Sequence, residues 1–277
     1  MPDQLSESLA AGRERAPGGI DATIPNPARV YDYLLGGKDN FEVDRVTAHA
    51  GMGAFPKIAK SAQASRAFLA RVVSYLAESG IRQFLDIGTG LPSANNVHEV
   101  AQSVAPTSKI VYVDNDPVVL LHARTLLTST PEGVTEFVDA DMGETRTVLR
   151  EAARTLDFSQ PVAVLLLGIL HFLRDDQQAA DIIGDLMQAV PAGSYLAICH
   201  LTADIYPEMT ELARRVNERQ AHSPLILRDH AQVTGFFNGL ELIPPGVVQA
   251  SKWRPDSDLQ AAAPAALWAG VARKNRS

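Results

Sequence analysis

An α/β fold built on a doubly wound, mostly parallel sheet is predicted by three features of the chain. From residue 81 onward, short β-rich apolar runs alternate with helical patterns, the mark of successive βαβ units. The run at residues 162–167 is continuously apolar, as a central strand covered on both faces must be. Two strand-like runs close the chain, at 240–248 and 266–272, with no helical pattern between them. They imply an antiparallel C-terminal ending on a sheet that is otherwise parallel.

The elements follow in order. Residues 1–24 mix charges, Gly and Pro without an apolar run and read as a flexible tail rather than a secretory signal. Asn26-Pro27 supplies a cap and a first-turn proline for a helix at 28–35, which Gly36-Gly37 stops. Helical patterns at 44–49 and 56–79 complete an N-terminal helical cap over 25–79, and the sheet domain then occupies 80–277. Its first strand is 83–87. Asn96 and Glu99 have the spacing of a capping box for a helix reaching 104. The second strand, 110–113, leads to a helix capped by Asp116, opened by Pro117 and running to 127. The third strand is 134–138 and the fourth 162–167. A helix at 175–190 and the turn Pro191-Ala192-Gly193 precede a fifth strand at 195–200. Helices at 207–220 and 229–238 lead to the terminal pair, which makes seven strands in all.

Bulk properties narrow the classes of function. A chain of 277 residues, 46% hydrophobic and 21% charged, buries one large core. The only cysteine, Cys199, lies in an apolar run, so it forms no intrachain disulfide; an inert buried thiol in a reducing, cytoplasmic setting is expected. The longest apolar stretch, 162–170, is too short to cross a bilayer, so no membrane partner is expected. Net charge is -7 and no run of Lys or Arg exceeds two residues, which argues against a nucleic-acid partner held by phosphate neutralisation.

A parallel sheet binds ligands at the carboxyl ends of its strands, where strand order reverses. After strand one stands Asp86-Ile87-Gly88-Thr89-Gly90, in which Gly88 and Gly90 permit a tight turn against a ligand. A dinucleotide fingerprint asks for a third glycine where Ser93 stands, so the fit to NAD is loose. A ligand without phosphate needs no such anion contact, and Asp86 suits an ammonium group; S-adenosylmethionine carries one. Asp114, 24 positions after Gly90, is placed to accept hydrogen bonds from ribose hydroxyls, with Asn115 beside it. After strand three, Asp141 suits an adenine amino group and Met142 the ring face. After strand four, Gly168 allows close approach to the backbone. His171 is the titratable group there, fit to act as a base or to orient an acceptor. No metal ligands are assigned.

The glycine loop 86–90, Asp114 and Asp141-Met142 resemble the pattern of class I, Rossmann-like methyltransferases. The block Pro25-Asn26-Pro27-Ala28-Arg29-Val30-Tyr31-Asp32-Tyr33-Leu34-Leu35-Gly36-Gly37-Lys38-Asp39-Asn40-Phe41, with Phe84-Leu85-Asp86-Ile87-Gly88-Thr89-Gly90-Leu91-Pro92 and Tyr112-Val113-Asp114-Asn115-Asp116-Pro117, is similar to a bacterial family of S-adenosylmethionine methyltransferases first catalogued as a domain of unknown function. The resemblance spans residues 20–275 and implies the fold and the cofactor, but no acceptor. Within the N-terminal block, Tyr31, Tyr33, Arg29, Lys38 and Asn40 are candidates to fold over the cofactor, with Arg29 or Lys38 near its carboxylate and a tyrosine lining the methyl channel. The alternative is a docking helix whose Tyr31, Leu34 and Leu35 pack on the sheet domain. The expectation is methyl transfer to a small-molecule acceptor. Its rivals are a regulatory protein that binds the cofactor without turnover and an NAD-dependent oxidoreductase, the latter lacking a Tyr-x-x-x-Lys set.

Overall fold

The computed structural model describes residues 21–126, 129–219 and 223–275. The tail expected at 1–24 lies mostly outside them, as do residues 127 and 220, the ends expected for two helices. Three helices come first, α1 (Pro27–Leu34), α2 (Glu42–Ala54) and α3 (Ile58–Glu78). Then follow β1 (Gln83–Ile87), α4 (Val97–Val104), β2 (Lys109–Asp114), α5 (Pro117–Leu126), β3 (Val134–Asp139), α6 (Thr145–Ala152) and β4 (Ala163–Leu167). After a 3-10 turn at Leu170–Phe172 come α7 (Asp176–Ala189), β5 (Tyr195–Leu201), α8 (Met209–Asn217) and α9 (His230–Gly235). The chain ends with β6 (Glu241–Leu242), β7 (Val248–Gln249), α10 (Asp258–Ala261) and β8 (Leu267–Arg273).

The strand order is β3-β2-β1-β4-β5-β8-β6, with β7 also paired to β8. β1 to β5 are parallel, and β8 runs antiparallel between β5 and the short edge strands. The order reverses between β1 and β4, which sets the ligand-binding crevice at their carboxyl ends. Side chains alternate across the sheet as the strand period of two requires. Leu85, Val111, Val164, Leu166 and Ile198 face α6 and α7. Phe84, Ile110, Leu165, Ala197 and Cys199 face α3 and α4.

Two differences from the sequence reading have physical causes. The run at 240–248 is two short strands rather than one: Pro244 and Pro245 have no N–H to give a ladder, and Gly246 sits at φ 84°, so pairing with β8 lapses between them. The sheet therefore has eight strands. The boundary drawn at residue 80 also crosses a core, because Phe68, Val72, Val73 and Leu76 of α3 are wholly buried with the sheet. Of the three N-terminal helices, α1 and α2 stand off it. They meet α8 in a separate apolar cluster that includes Phe55, Ile58, Leu212, Val216 and Leu225, which roofs the crevice.

The caps at Asn26 and Asp116 follow the sequence signals, and Asp229 supplies a third. Asn26 Oδ1 accepts from Ala28 N at 2.8 Å, Asp116 Oδ1 from Val118 N at 2.6 Å and Asp229 Oδ1 from Gln232 N at 2.8 Å. Each ties up a helix N–H that has no intrahelical partner.

Candidate active site

After β1 the chain turns through Gly88 at φ 76°. A Cβ at this position would lie 2.5 Å from Ile169 Cγ1, so glycine is required here both by conformation and by space. The Gly88 N–H donates to Val113 O at 2.8 Å, fastening the turn to β2. Gly90 N–H donates to Asp114 Oδ2 at 2.9 Å, and Asp114 Oδ1 accepts from Asp116 N at 3.0 Å. Asp114 thus ties the glycine turn to the start of α5, while a carboxylate with about four acceptor positions keeps room for further donors. Asn115 Nδ2 donates to Asp141 Oδ2 at 2.9 Å, and Asp141 Oδ1 accepts from Gly143 N at 2.8 Å. After β4, Gly168 at φ 84° begins the turn that carries His171.

These groups converge. Asp86, Gly88, Thr89, Gly90, Asp114, Asn115, Asp141, Met142, Gly168 and His171 all line one cavity of about 410 Å³ at the carboxyl ends of the strands. Replacing Gly88 with alanine forces a left-handed backbone, which costs about 1–2 kcal/mol, and pushes Ile169 aside for about 1–3 kcal/mol more. The expected result is a lowered melting temperature and cofactor-product affinity reduced by at least about tenfold in calorimetry.

Burial sets the charge states. Asp86 is 4% exposed, and its carboxyl is pushed up to about 7 by loss of water, with Arg66 opposing the shift and Asp114 adding to it. Burial also raises Asp114. Arg66 lines the same cavity. Its Nη2 donates to Ala94 O and Asn95 O at 3.0 Å each, while its Nε is buried without a hydrogen-bond partner. A cavity lined by both a carboxyl raised by burial and a guanidinium fits a zwitterionic amino-acid group.

His171 stands on a scaffold of buried polar groups. Arg228, wholly buried, donates from Nη1 to Leu170 O at 3.0 Å and from Nη2 to Leu173 O at 2.9 Å, gripping both ends of the turn. Its Nε meets Asp176 Oδ1 at 2.7 Å, and Nη1 stands 2.9 Å from His200 Nε2. Since Arg is always a donor, His200 Nε2 accepts and its Nδ1–H points to Leu201 O at 2.8 Å. Burial, with His200 and Arg228 close by, holds His171 well below the usual imidazole range. It is a neutral imidazole near pH 7, and its Nδ1 is buried without a partner.

The N-terminal block divides. Asn26, Pro27, Ala28, Val30, Tyr31 and Leu34 line the cavity, but Arg29, Tyr33, Lys38 and Asn40 do not. Arg29 is committed to a buried ion pair with Asp44 at 2.8 Å and to Ile24 O at 2.6 Å. Tyr33 Oη meets His49 Nε2 at 2.9 Å on the outer side, Lys38 is exposed, and Asn40 Nδ2 donates to Asp32 Oδ2 at 2.8 Å. Arg29, Tyr33 and Asn40 bind the block together, while Tyr31, anchored by its hydroxyl to Ala62 O at 3.2 Å, takes the place at the cavity wall. Arg66 and Arg228 escaped the sequence reading. The first is one cation in a long amphipathic helix; the second has partners 28 to 58 residues away.

A doubly wound sheet with an antiparallel last strand, a glycine turn after β1 and acids after β2 and β3 defines the class I methyltransferase architecture. The family model described as S-adenosyl methyltransferase matches residues 13–275. The chain therefore belongs to this S-adenosyl methyltransferase family, and its cofactor is S-adenosylmethionine. Similar crystal structures include a DUF574 family protein of Streptomyces avermitilis, 44% identical over 92% of this chain and 99% of that one, with a TM-score of 0.88. A candidate methyltransferase of Thermobifida fusca is 39% identical over 94% and 98% of the two chains, with a TM-score of 0.86. An O-methyltransferase family protein of Burkholderia thailandensis, 17% identical over 79% of this chain and 60% of that one, shares the fold at a TM-score of 0.51. No curated protein matches the chain. Among the described residues no helix is long and apolar enough to cross a membrane.

Proposed function

We propose that the cavity at the ends of β1 to β4 seats S-adenosylmethionine and directs its methyl group to a small-molecule acceptor under the roof of α1, α2 and α8. The observation that carries this reading is the convergence of Gly88, Asp114, Asp141 and His171 on one cavity. The cofactor, when bound, supplies an electrophilic methyl on a sulfonium. The chain's own part is binding, alignment and exclusion of water. Asp114 receives the ribose hydroxyls; Asp141 and Met142 border the adenine, with Asn115 holding the Asp141 carboxylate in place. Asp86 receives the ammonium, and Arg66, which lines the cavity where Arg29 and Lys38 do not, receives the carboxylate. A neutral His171 orients the acceptor by accepting a hydrogen bond, a role that a strongly depressed imidazole fills better than net proton uptake.

Calorimetric titration with S-adenosylhomocysteine and with NAD tests the cofactor site. Binding of the former alone is expected, and tight NAD binding with no response to the former would sink the reading. Release of S-adenosylhomocysteine in the presence of an acceptor panel separates an enzyme from a cofactor-binding regulator.

Asp86 provides a pH test. Its folded carboxyl titrates about 7 against an ordinary 3.8, so between those values the folded chain holds a proton that the unfolded chain has lost. Stability contributed by this group therefore falls as pH rises through that window. Asp86→Asn is expected to raise the melting temperature at pH 8 and to leave it little changed at pH 4, while weakening S-adenosylhomocysteine. In the wild type, affinity for that product is expected to fall by about tenfold per pH unit below 7, because an ammonium ligand selects the ionised carboxyl. An affinity flat between pH 5 and pH 7 would contradict the pairing.

A further inference from the structure

The cavity does not end at the switch point. It continues past β4 to Leu201 at the end of β5 and Leu267 at the start of β8, two strand spacings farther, about 10 Å. The walls of this extension differ from those of the cofactor side. They are Phe172, Leu173 and Leu225 at the sheet end, Thr47, Ala48 and Gly51 on α2, and Leu212 and Val216 on α8. Among the described residues every lining carboxylate, Asp86, Asp114, Asp116 and Asp141, and the lining arginine, Arg66, belongs to the α3, β1, β2 and β3 side. Among the described residues that line this space, His171 is the titratable side chain apart from the Tyr31 phenol, which is tied to Ala62 O.

Three of the hydroxyls nearby are already engaged, and Ser223 also lines the space. Thr47 Oγ1 donates to Val43 O at 2.9 Å, Ser61 Oγ accepts from Ala266 N at 3.1 Å, and Ser65 Oγ lies 3.8 Å from Cys199 Sγ. A charged acceptor entering this space would lose its water without gaining an opposite charge, a large cost. An apolar one gains by burial. His171 lines this space as a neutral imidazole, which can accept one hydrogen bond, so an occupant that offers one is favoured over a pure hydrocarbon.

We propose that the methyl acceptor is an uncharged, largely apolar small molecule carrying a hydroxyl that meets His171. This rests on the cofactor reading above and adds the acceptor's chemistry to it.

The test uses the full chain saturated with S-adenosylhomocysteine and three probes of one ring size: naphthol, naphthoate and naphthylmethylammonium. Naphthol is expected to bind at least about tenfold tighter than either ion by calorimetry. Ala48→Phe, which fills the α2 wall, is expected to weaken naphthol by at least about tenfold while S-adenosylhomocysteine stays within about twofold. Leu212→Ala, which enlarges the same space, is expected to shift preference from naphthol toward the larger phenanthrol by at least about fivefold. His171→Phe is expected to erase the preference for naphthol over methylnaphthalene. Equal or tighter binding of either ion, or naphthol affinity unmoved by both wall variants, would overturn the proposal. Failure of the initial S-adenosylhomocysteine titration overturns the cofactor reading instead, so the two are told apart in one experiment.

Discussion

Replacing Asp114 with alanine is expected to lower S-adenosylhomocysteine affinity by about two to three orders of magnitude, which is about 3–4 kcal/mol. Two losses combine. The ribose hydroxyls lose a charged acceptor, and hydrogen bonds to charged groups contribute about 1.5–3 kcal/mol each. The variant also releases the Gly90 and Asp116 N–H groups, which Asp114 holds at 2.9 and 3.0 Å, so the glycine turn loses its tie to α5. Asp114→Asn separates these contributions. An amide keeps one acceptor for the loop but loses the charge, so its affinity should lie between wild type and alanine, with a smaller drop in melting temperature. Calorimetry and thermal unfolding of the two variants check both parts, and an affinity unchanged in Asp114→Ala would remove the ribose role.

A large loss of stability is also expected at Arg228, far from any sequence motif. Arg228→Met keeps much of the side chain's length but removes its charge and every donor. The carbonyls of Leu170 and Leu173 and the Nε2 of His200 then lose their partner inside the protein. Breaking a buried ionic network by deleting one member costs about 3–5 kcal/mol. Asp176, the ionic partner, is 54% exposed and recovers water, which places the expectation near the lower end, about 3 kcal/mol. For a chain of this size that corresponds to a fall of roughly 6–12 °C in melting temperature. Because the turn at Leu170–Phe172 is what Arg228 grips, acceptor-side binding should suffer more than binding of S-adenosylhomocysteine. A melting temperature within about 2 °C of wild type would show the network to be dispensable.

Local signals wrote much of the fold legibly. A run such as 162–167 can bury both faces only in a central strand, and Asn26 and Asp116 announce their helices because a cap works within three residues of itself. The strand ends were legible for a related reason: parallel topology makes the residues after β1 to β4 neighbours whatever lies between them. Where the answer depends on distant partners, the sequence is silent. Arg29 and Lys38 looked as suitable for a carboxylate as Arg66 does. Only the fold reveals that Asp44 takes Arg29 and that Arg66 borders the cavity. α6 was missed because a short, polar stretch buries only Thr145, Val148 and Ala152, too few apolar positions to display a helical period. The split of the β6 and β7 run was legible in principle, since Pro244-Pro245 cannot serve a ladder.

The central claim is that one cavity holds the cofactor across β1, β2 and β3 and leaves the β4 to β8 side for an acceptor. A crystal structure of the protein with S-adenosylhomocysteine tests it most directly. The account predicts the ribose on Asp114, adenine beside Asp141 and Met142, the amino-acid end between Asp86 and Arg66, and the sulfur facing the apolar space in front of His171. A ligand lying against Leu201, Leu212 and Leu267, with Asp114 and Asp141 untouched, would contradict it.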